Sequence, residues 1–393
     1  MEYESRFKRT WAEIDLDAAE HNFRLIREKT NKESKVCCVI KANAYGHGAV
    51  ELAQLYEKLG ADWFAVSNLE EGLQLRRAGL RLPILILGFT PPAAAKVLAE
   101  ENISQCVYSL EFARLLSEQA RLAGVNVKIH LKIDTGMGRI GFSHREEGET
   151  LSLEQALLAA QTENLVTEGI FTHFAVCDCG KDGEDFTRSQ AKAFLSAVAF
   201  LEGRGVHFAI RHIANSAAIL DHPEYHLDMV RAGVILYGLM PSELYDGKTD
   251  LVPVMQLKSC ISHIKPVHPG DSVSYGRTYI FDREAFLATV PIGYADGYRR
   301  GNAPGSRLLA GNSLCPIRGR VCMDQLMIEM PDLSASIGDE VTVFGKKPAM
   351  TADEVAKVAG TIGYEIVCDV GARVPRVYLK NGKVVSCKSI LFD

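Results

Sequence analysis

Short continuous apolar runs alternate along this chain with stretches whose apolar residues recur every three to four positions. Ala12 to Leu16 reads as a short strand. Asp17 and Glu20 have capping-box spacing, with Asp in place of Ser or Thr, and predict a helix to about Lys29. Val36 to Lys41 is an apolar strand, and a helix is expected over Ala49 to Leu59. Trp63 to Val66 is the next strand. Ser67 and Glu70 then form a second capping box, and Gly79 stops the helix it opens. Further strands are expected at Ile84 to Leu87, Gln105 to Tyr108, Val127 to Ile133, Gly169 to Phe174, His207 to Ile213 and Gly233 to Tyr237.

The alternation repeats about eight times over about 240 residues. Continuously apolar strands are those buried on both faces. The pattern therefore predicts an α/β fold that begins with a parallel (β/α)8 TIM-type barrel, a doubly wound sheet being the alternative. No G-x-G-x-x-G follows an early strand, which weighs against a dinucleotide-binding sheet. The character changes near Pro241. Pro241 to Asp250 is polar and reads as a linker. Beyond it, strand-like runs dominate: Val254 to Ile264, Phe286 to Pro291, Val341 to Phe344 and Val374 to Leu379. Pro269-Gly270-Asp271, Gly338-Asp339 and Asn381-Gly382 are turn signals between them, and one helix is expected over Ala352 to Gly360. The division is a barrel over residues 11–244 and a mostly β C-terminal domain over 245–393, which residues 1–10 could join.

Composition narrows the classes. At 393 residues the chain can build two sizeable cores. The net charge of −5, from 44 basic and 49 acidic residues, offers no electrostatic case for nucleic acid or an anionic membrane. No apolar run is long enough to span a bilayer, and Met1 to Thr10 lacks the character of a secretory signal. Ten cysteines read as reduced thiols, so a cytoplasmic location is expected. Cys177 and Cys179 follow His173, but C-x-C is not the C-x-x-C spacing of a zinc site and no second pair lies near. A loop after a strand accounts for them, and no metal is expected.

The chemistry begins at Lys41. Val39, Ile40, Lys41, Ala42, Asn43, Ala44, Tyr45, Gly46, His47, Gly48 runs an apolar strand into one lysine, then small residues, a tyrosine and two glycines. Barrel enzymes place their chemistry at such junctions, and desolvation turns a lysine into a Schiff-base amine. For an isolated lysine, a solvated strand end is the commoner state. The other motifs change that: Trp11 to Leu16, Leu131 to Gly141, His173 with Phe174, Asn215 with Ser216, Arg231 to Gly238, Ser274 to Tyr279, Gly293 to Gly297, Cys322 to Gln325 and Gly363 to Glu365. In that order, over nearly the whole chain, they resemble the alanine racemase family, pyridoxal 5′-phosphate enzymes built from a barrel and a β domain.

The resemblance implies a role for each matching residue. Lys41 is similar to the family's Schiff-base lysine and first base, and Tyr275 to its second base. Two bases on opposite faces of one carbon racemise it without turning the substrate over. A tyrosine normally titrates near pKa ~10, so it needs help, which the resemblance assigns to His173, with Arg300 as the arginine contacting that histidine. Arg231 is similar to the arginine that faces the pyridine nitrogen. A guanidinium does not readily give up its proton, so it should leave that nitrogen unprotonated and favour racemisation over transamination. Tyr45, Ser216, Tyr364 and backbone N–H groups at Gly233 and Val234 would bind the phosphate, with Asn215 beside them; a plain helix cap is the competing role for Asn215 and Ser216. Arg139, Met323 and Asp324 would contact the substrate carboxylate. Lys132 would be carbamylated, since an anion there orients Arg139 where a second cation would repel it. Tyr294 would line the access channel. Tyr275, Met323 and Asp324 would enter from a second subunit, which implies a homodimer.

The expected reaction is interconversion of L- and D-alanine, with D-alanine supplied for peptidoglycan. The alternatives are a racemase of broader or serine specificity, a decarboxylase on the same barrel, a cofactor-free Schiff-base aldolase and a non-catalytic pyridoxal-phosphate-binding protein. The last would need Lys41 and a phosphate loop, but not Tyr275, Arg139 or Asp324.

Overall fold

Eight short parallel strands wind round one axis in the computed structural model, which describes residues 8–146, 150–245, 249–333 and 335–391. Their order is Met229–Ala232, Lys35–Val39, Trp63–Val66, Ile84–Ile86, Ile103–Val107, Val127–Asp134, Leu165–Phe171 and Ile210–His212. The first and last share no full ladder. Asp228 N–H donates to Arg211 O (3.2 Å) and Arg231 N–H to Ala214 O (3.0 Å), which nearly closes the barrel. Most of these strands are buried along their length, so both faces are apolar, as the continuous runs require. Helices cover the outside; Leu110–Ala123, for example, packs Phe112, Ala113, Leu116 and Ala120 inward.

Four local expectations are corrected. The first strand, Thr10–Asp15, pairs antiparallel with Met255–Cys260 and parallel with Arg376–Lys380. It lies in the C-terminal sheet and not in the barrel, because an apolar run reports burial without naming the sheet that buries it. The first helix, Leu16–Lys29, is capped by Asp15, whose Oδ1 accepts from Asp17 N–H (2.9 Å) and Ala18 N–H (3.0 Å). The helix Leu69–Arg77 is capped by Asn68 and not Ser67. Where several capping-type residues are adjacent, backbone entry decides which one serves. Finally, Val234–Tyr237 is a turn of 3-10 helix, and the last barrel strand precedes it at Met229–Ala232. A short buried apolar run cannot be assigned to helix or strand from periodicity alone.

The C-terminal domain is mostly β. A seven-stranded sheet runs Ser313–Pro316, Arg307–Ala310, Glu340–Phe344, Met255–Cys260, Thr10–Asp15, Arg376–Lys380, Lys383–Lys388. A three-stranded sheet joins His263–Val267, Ala285–Val290 and Leu326–Met330. The run expected as one strand over 254–264 is thus split between the two sheets. Asn381 and Gly382, both at positive φ (52° and 70°), turn the hairpin at the sheet edge. The helix Ala352–Ala359 opens with a Thr351–Glu354 capping box.

This domain grips the loop after Lys41. Buried Arg376 donates through Nε to Gly46 O (2.9 Å) and through its other nitrogens to the carbonyls of Val370, Gly371 and Val374. Tyr378 OH donates to His47 O (3.1 Å). Gly46 has φ of 82°, and a Cβ there would stand 2.3 Å from Val367 O. Gly46→Ala is therefore expected to destabilise the protein by about 3 kcal/mol, through left-handed strain plus a backbone clash. Denaturant unfolding checks this; a loss below about 0.5 kcal/mol would show that the two domains do not need this close approach.

Candidate active site

The strand Lys35–Val39 delivers Lys41 to the barrel mouth, and the next four residues do something unusual. Ala42, Asn43, Ala44 and Tyr45 all have φ between 51° and 54°, a left-handed turn built without glycine. Each such L-residue costs about 1–2 kcal/mol, so the surroundings must hold the turn. Glu71 accepts from Ala42 N–H (2.6 Å) with one oxygen and from Ser67 N–H (2.7 Å) with the other. Asn43 Oδ1 accepts from Ala49 N–H (2.9 Å), tying the turn to the following helix. Burial, then the nearby Arg139 cation, holds the Lys41 amine below the ordinary lysine range, with Glu71 and Cys368 opposing.

Lys41 opens on a cavity of about 500 Å³. Tyr45, Lys132, Arg139 and His173 line it, as do Asn215, Ser216, Arg231, Gly233, Val234 and Tyr364. The barrel thus gathers in one place the cofactor and barrel residues singled out by sequence. Tyr275, Tyr294, Arg300, Met323 and Asp324 are not among the lining residues of this chain.

Arg231 is almost fully buried at the cavity floor. Its Nη2 donates to Thr172 O (2.7 Å) and Ile213 O (3.0 Å) and meets His173 Nδ1 at 3.3 Å; its Nη1 meets His212 Nδ1 at 2.9 Å. Burial lowers the guanidinium to about 10, still cationic at neutral pH. Burial and the Arg231 charge push His173 well below the usual histidine range, so it is a neutral imidazole. Within one chain the arginine against His173 is therefore Arg231. Arg300, expected in that place, lies exposed beside a second, shallower cavity with Arg320. The adjacent Arg299 pairs with Glu365 (2.6 Å) and Asp369, on the C-terminal domain.

At the opposite side of the cavity Gly233 N–H donates to Ser216 Oγ (3.1 Å). A Cβ on Gly233 would stand 3.2 Å from Tyr45 OH and 3.4 Å from Ser216 Oγ. Two hydroxyls and a backbone N–H thus converge on a space that a Cβ at Gly233 would crowd, and the rings of Tyr45 and Tyr364 lie 6.2 Å apart beside it. Asn215 is the cap of Ser216–Asp221, its Oδ1 accepting from Ala218 N–H (3.1 Å), so the capping role is realised in a residue that also lines the cavity.

Lys132 points inward, 3% exposed, donating to Ile133 O (2.7 Å). Burial brings its amine down to about 8, with Arg231 and Arg139 pushing in the same direction and Cys106 and Asp134 opposing. Arg139 sits on a loop pinned by Asp134, whose carboxylate accepts from Gly136 N–H (3.1 Å) and Gly138 N–H (3.0 Å).

The remaining predicted residues share one exposed face of the C-terminal domain. Tyr275 is 68% exposed, between the short strands Ser272–Val273 and Tyr279–Ile280. Met323 and Tyr294 are also exposed, and their loops are joined by Tyr294 N–H to Cys322 O (3.1 Å) and Ala295 N–H to Met323 O (3.0 Å). Ser274 Oγ donates to Arg320 O (2.7 Å) and ties the Tyr275 hairpin to the same surface. The Asp324 carboxylate accepts from Arg373 Nη2 (2.6 Å).

Sequence reasoning passed over several residues of the site. Leu87, Phe89, Tyr108 and Asp178 also line the cavity. Glu71 and the buried histidines 130 and 212 hold its parts in place. One signal was present: Lys128, His130, Lys132 and Asp134 alternate with apolar residues along one strand, the period-two mark of a strand with one polar face.

Comparison with known proteins agrees with this geometry. The alanine racemase N-terminal domain family matches residues 14–241 and the C-terminal domain family residues 254–378. The chain is 47% identical over 371 residues to alanine racemase from Desulfovibrio desulfuricans, covering 94% of this chain and 98% of that one. A solved alanine racemase from Clostridium difficile 630 superposes with a TM-score of 0.92 at 43% identity, covering 98% and 100% of the two chains. That of Bacillus anthracis with bound L-Ala-P gives 0.91 at 37% identity, covering 98% of each. On both domains and over almost its whole length, the chain belongs to the alanine racemase family.

Proposed function

We propose that this protein interconverts L- and D-alanine with pyridoxal 5′-phosphate, using Lys41 and Tyr275 as bases on opposite faces of the α-carbon. The observation that carries this reading is the cavity itself: one desolvated lysine, one buried guanidinium and one hydroxyl-lined cradle at a glycine, all around a single space. The donor set fits the cofactor. Tyr45, Ser216, Tyr364 and the Gly233 N–H would hold its phosphate, Arg231 its ring nitrogen and Lys41 its carbonyl carbon. Bound there, pyridoxal phosphate would supply an electron sink that acidifies the α-proton of an amino acid. Arg231 keeps its own proton, so it moderates that sink and favours prompt return of a proton to carbon. Lys41 removes or returns the proton at Nζ on one face; its depressed pKa leaves more free amine at neutral pH. Arg139 supplies positive charge for the substrate carboxylate.

The exposed face bearing Tyr275, Met323, Asp324, Tyr294 and Arg300 supports a homodimer in which each chain completes the other's cavity. Tyr275, the second base of this reading, stands outside the cavity of its own chain. No helix among the described residues is long and apolar enough to cross a membrane. A cytoplasmic enzyme supplying D-alanine for peptidoglycan is the setting that family membership supports.

Purified protein supplied with pyridoxal phosphate is expected to racemise L-alanine well ahead of L-serine and, in heavy water, to exchange the α-proton. No exchange with either amino acid would sink the reading.

Lys132 is proposed to be carbamylated. The neutral amine attacks carbon dioxide, forming an N–C bond as one C=O π pair moves onto oxygen and releasing one proton to solvent, so a neutral group becomes an anion beside Arg139 and Arg231. Only the neutral amine reacts. Half of Lys132 is neutral near pH 8, against roughly one per cent or less of an exposed lysine. With ¹³C-bicarbonate, a carbamate resonance is expected to grow as pH rises through about 8 and to vanish in Lys132→Ala. A spectrum without it at any pH would leave Lys132 a bare amine.

A further inference from the structure

A buried column of side chains runs from the cavity floor into the barrel. Arg231 Nη1 meets His212 Nδ1 at 2.9 Å, His212 Nε2 meets His130 Nδ1 at 2.9 Å, and His130 Nε2 meets Glu168 Oε2 at 3.3 Å. Both histidines are fully buried, while Glu168 reaches partial exposure and also accepts from Ser104 Oγ (2.8 Å), with Lys128 Nζ at 3.9 Å. The rings are walled in. Phe171 stacks on His212 at 4.8 Å and 9°, Trp63 meets the edge of His130 at 5.4 Å, and a Cβ at Gly169 would stand 2.5 Å from His130 Nδ1. Gly169 thus makes room for that imidazole.

We propose that Glu168 and His130, acting through His212, are positioning residues that fix the orientation of Arg231. The direction of the column has one solution. A guanidinium only donates and a carboxylate only accepts, so each imidazole between them must accept at Nδ1 and donate at Nε2. Protonating either ring would set two donors against each other. Among the described residues no carboxylate touches Arg231; its partners are two carbonyls and two imidazoles. A carboxylate in direct contact would take its fork bidentately. The His212 imidazole takes a single N–H, so the Nε–H and the second Nη1 hydrogen have no acceptor among the described residues. The groups facing the rings are Arg231 and Lys132 from the cavity side and Glu168 with Lys128 from the other. This inference rests on the reading that Arg231 meets the cofactor ring.

The test is nitrogen NMR of ¹⁵N-histidine-labelled protein, with and without pyridoxal phosphate. In the wild type both buried rings are expected to be neutral Nε2–H tautomers from pH 6 to 9; an Nδ1–H tautomer or a charged ring at either would overturn the column. Glu168→Gln, which can still accept, should keep that pattern and wild-type cofactor affinity. Glu168→Leu should mix the tautomers and weaken pyridoxal phosphate binding about tenfold, the size of one buried donor left without its acceptor. If Glu168→Leu does not fold, Glu168→Asp, which withdraws the carboxylate by one methylene, serves in the same comparison. A falling melting temperature with tautomers and affinity matching Glu168→Gln would mark Glu168 as merely structural and overturn the proposal. Wild-type protein that shows the expected tautomers but binds no pyridoxal phosphate would instead overturn the reading of the site.

Discussion

Lys41→Ala is expected to lower alanine racemisation about ten-thousand-fold. On the proposed reading the substitution removes one base and the cofactor's covalent anchor together, while the cavity walls stay. L- and D-alanine have equal free energies, so kcat/KM must fall by the same factor in both directions whatever the mechanism. What identifies the amine is rescue. Alanine leaves space where Nζ stood, and added methylamine should restore part of the rate, more as rising pH deprotonates it. Pyridoxal phosphate should still bind through the Tyr45, Ser216 and Gly233 cradle, but more weakly and without the absorbance of the lysine-linked form. Activity within about tenfold of the unsubstituted enzyme would remove Lys41 from the reaction.

The strain around Lys41 gives this prediction a structural side. Ala42 to Tyr45 hold a left-handed turn that Glu71 and Arg376 secure from two directions. The lysine is therefore presented by a backbone that resists relaxation when the side chain is lost, and Lys41→Ala should leave the fold intact. Far-ultraviolet circular dichroism and the melting curve separate loss of chemistry from loss of structure.

That turn also marks where sequence reading stops. The lysine was legible because a barrel strand runs into it and small residues follow. The left-handed turn was not, because the usual sign of positive φ is glycine and residues 42–45 contain none. The barrel was legible from alternation, yet the strand at Thr10–Asp15 belongs to the other sheet, since a buried strand does not name its neighbours. Arg231 and His173 could be named from their motifs. Their direct contact could not, because it joins the ends of two strands, far apart in sequence, that flank Ile210–His212. Glu168 was invisible for a different reason. It lies in a strand of mixed burial, and its role follows only from two histidines on other strands.

Tyr275→Phe is expected to lower racemisation about a thousand-fold, again equally in both directions. Asymmetry must be sought in exchange rather than in net turnover. If Lys41 serves one face alone, it can still remove and return hydrogen there after the opposite base is lost. In heavy water, one enantiomer should then take up deuterium at the α-carbon with its configuration retained, while the other exchanges far more slowly. Equal loss of exchange from both, with cofactor bound, would argue against two distinct bases. The same variant tests the composite site. Tyr275 is exposed on its own chain and absent from that chain's cavity. Mixing Tyr275→Phe with Lys41→Ala subunits should therefore regenerate sites in which one chain gives the lysine and the other the tyrosine. With random reassortment, half the dimers are mixed and each holds one intact site, so about a quarter of wild-type activity should return. Were both bases supplied by the same chain, no mixture could recover any.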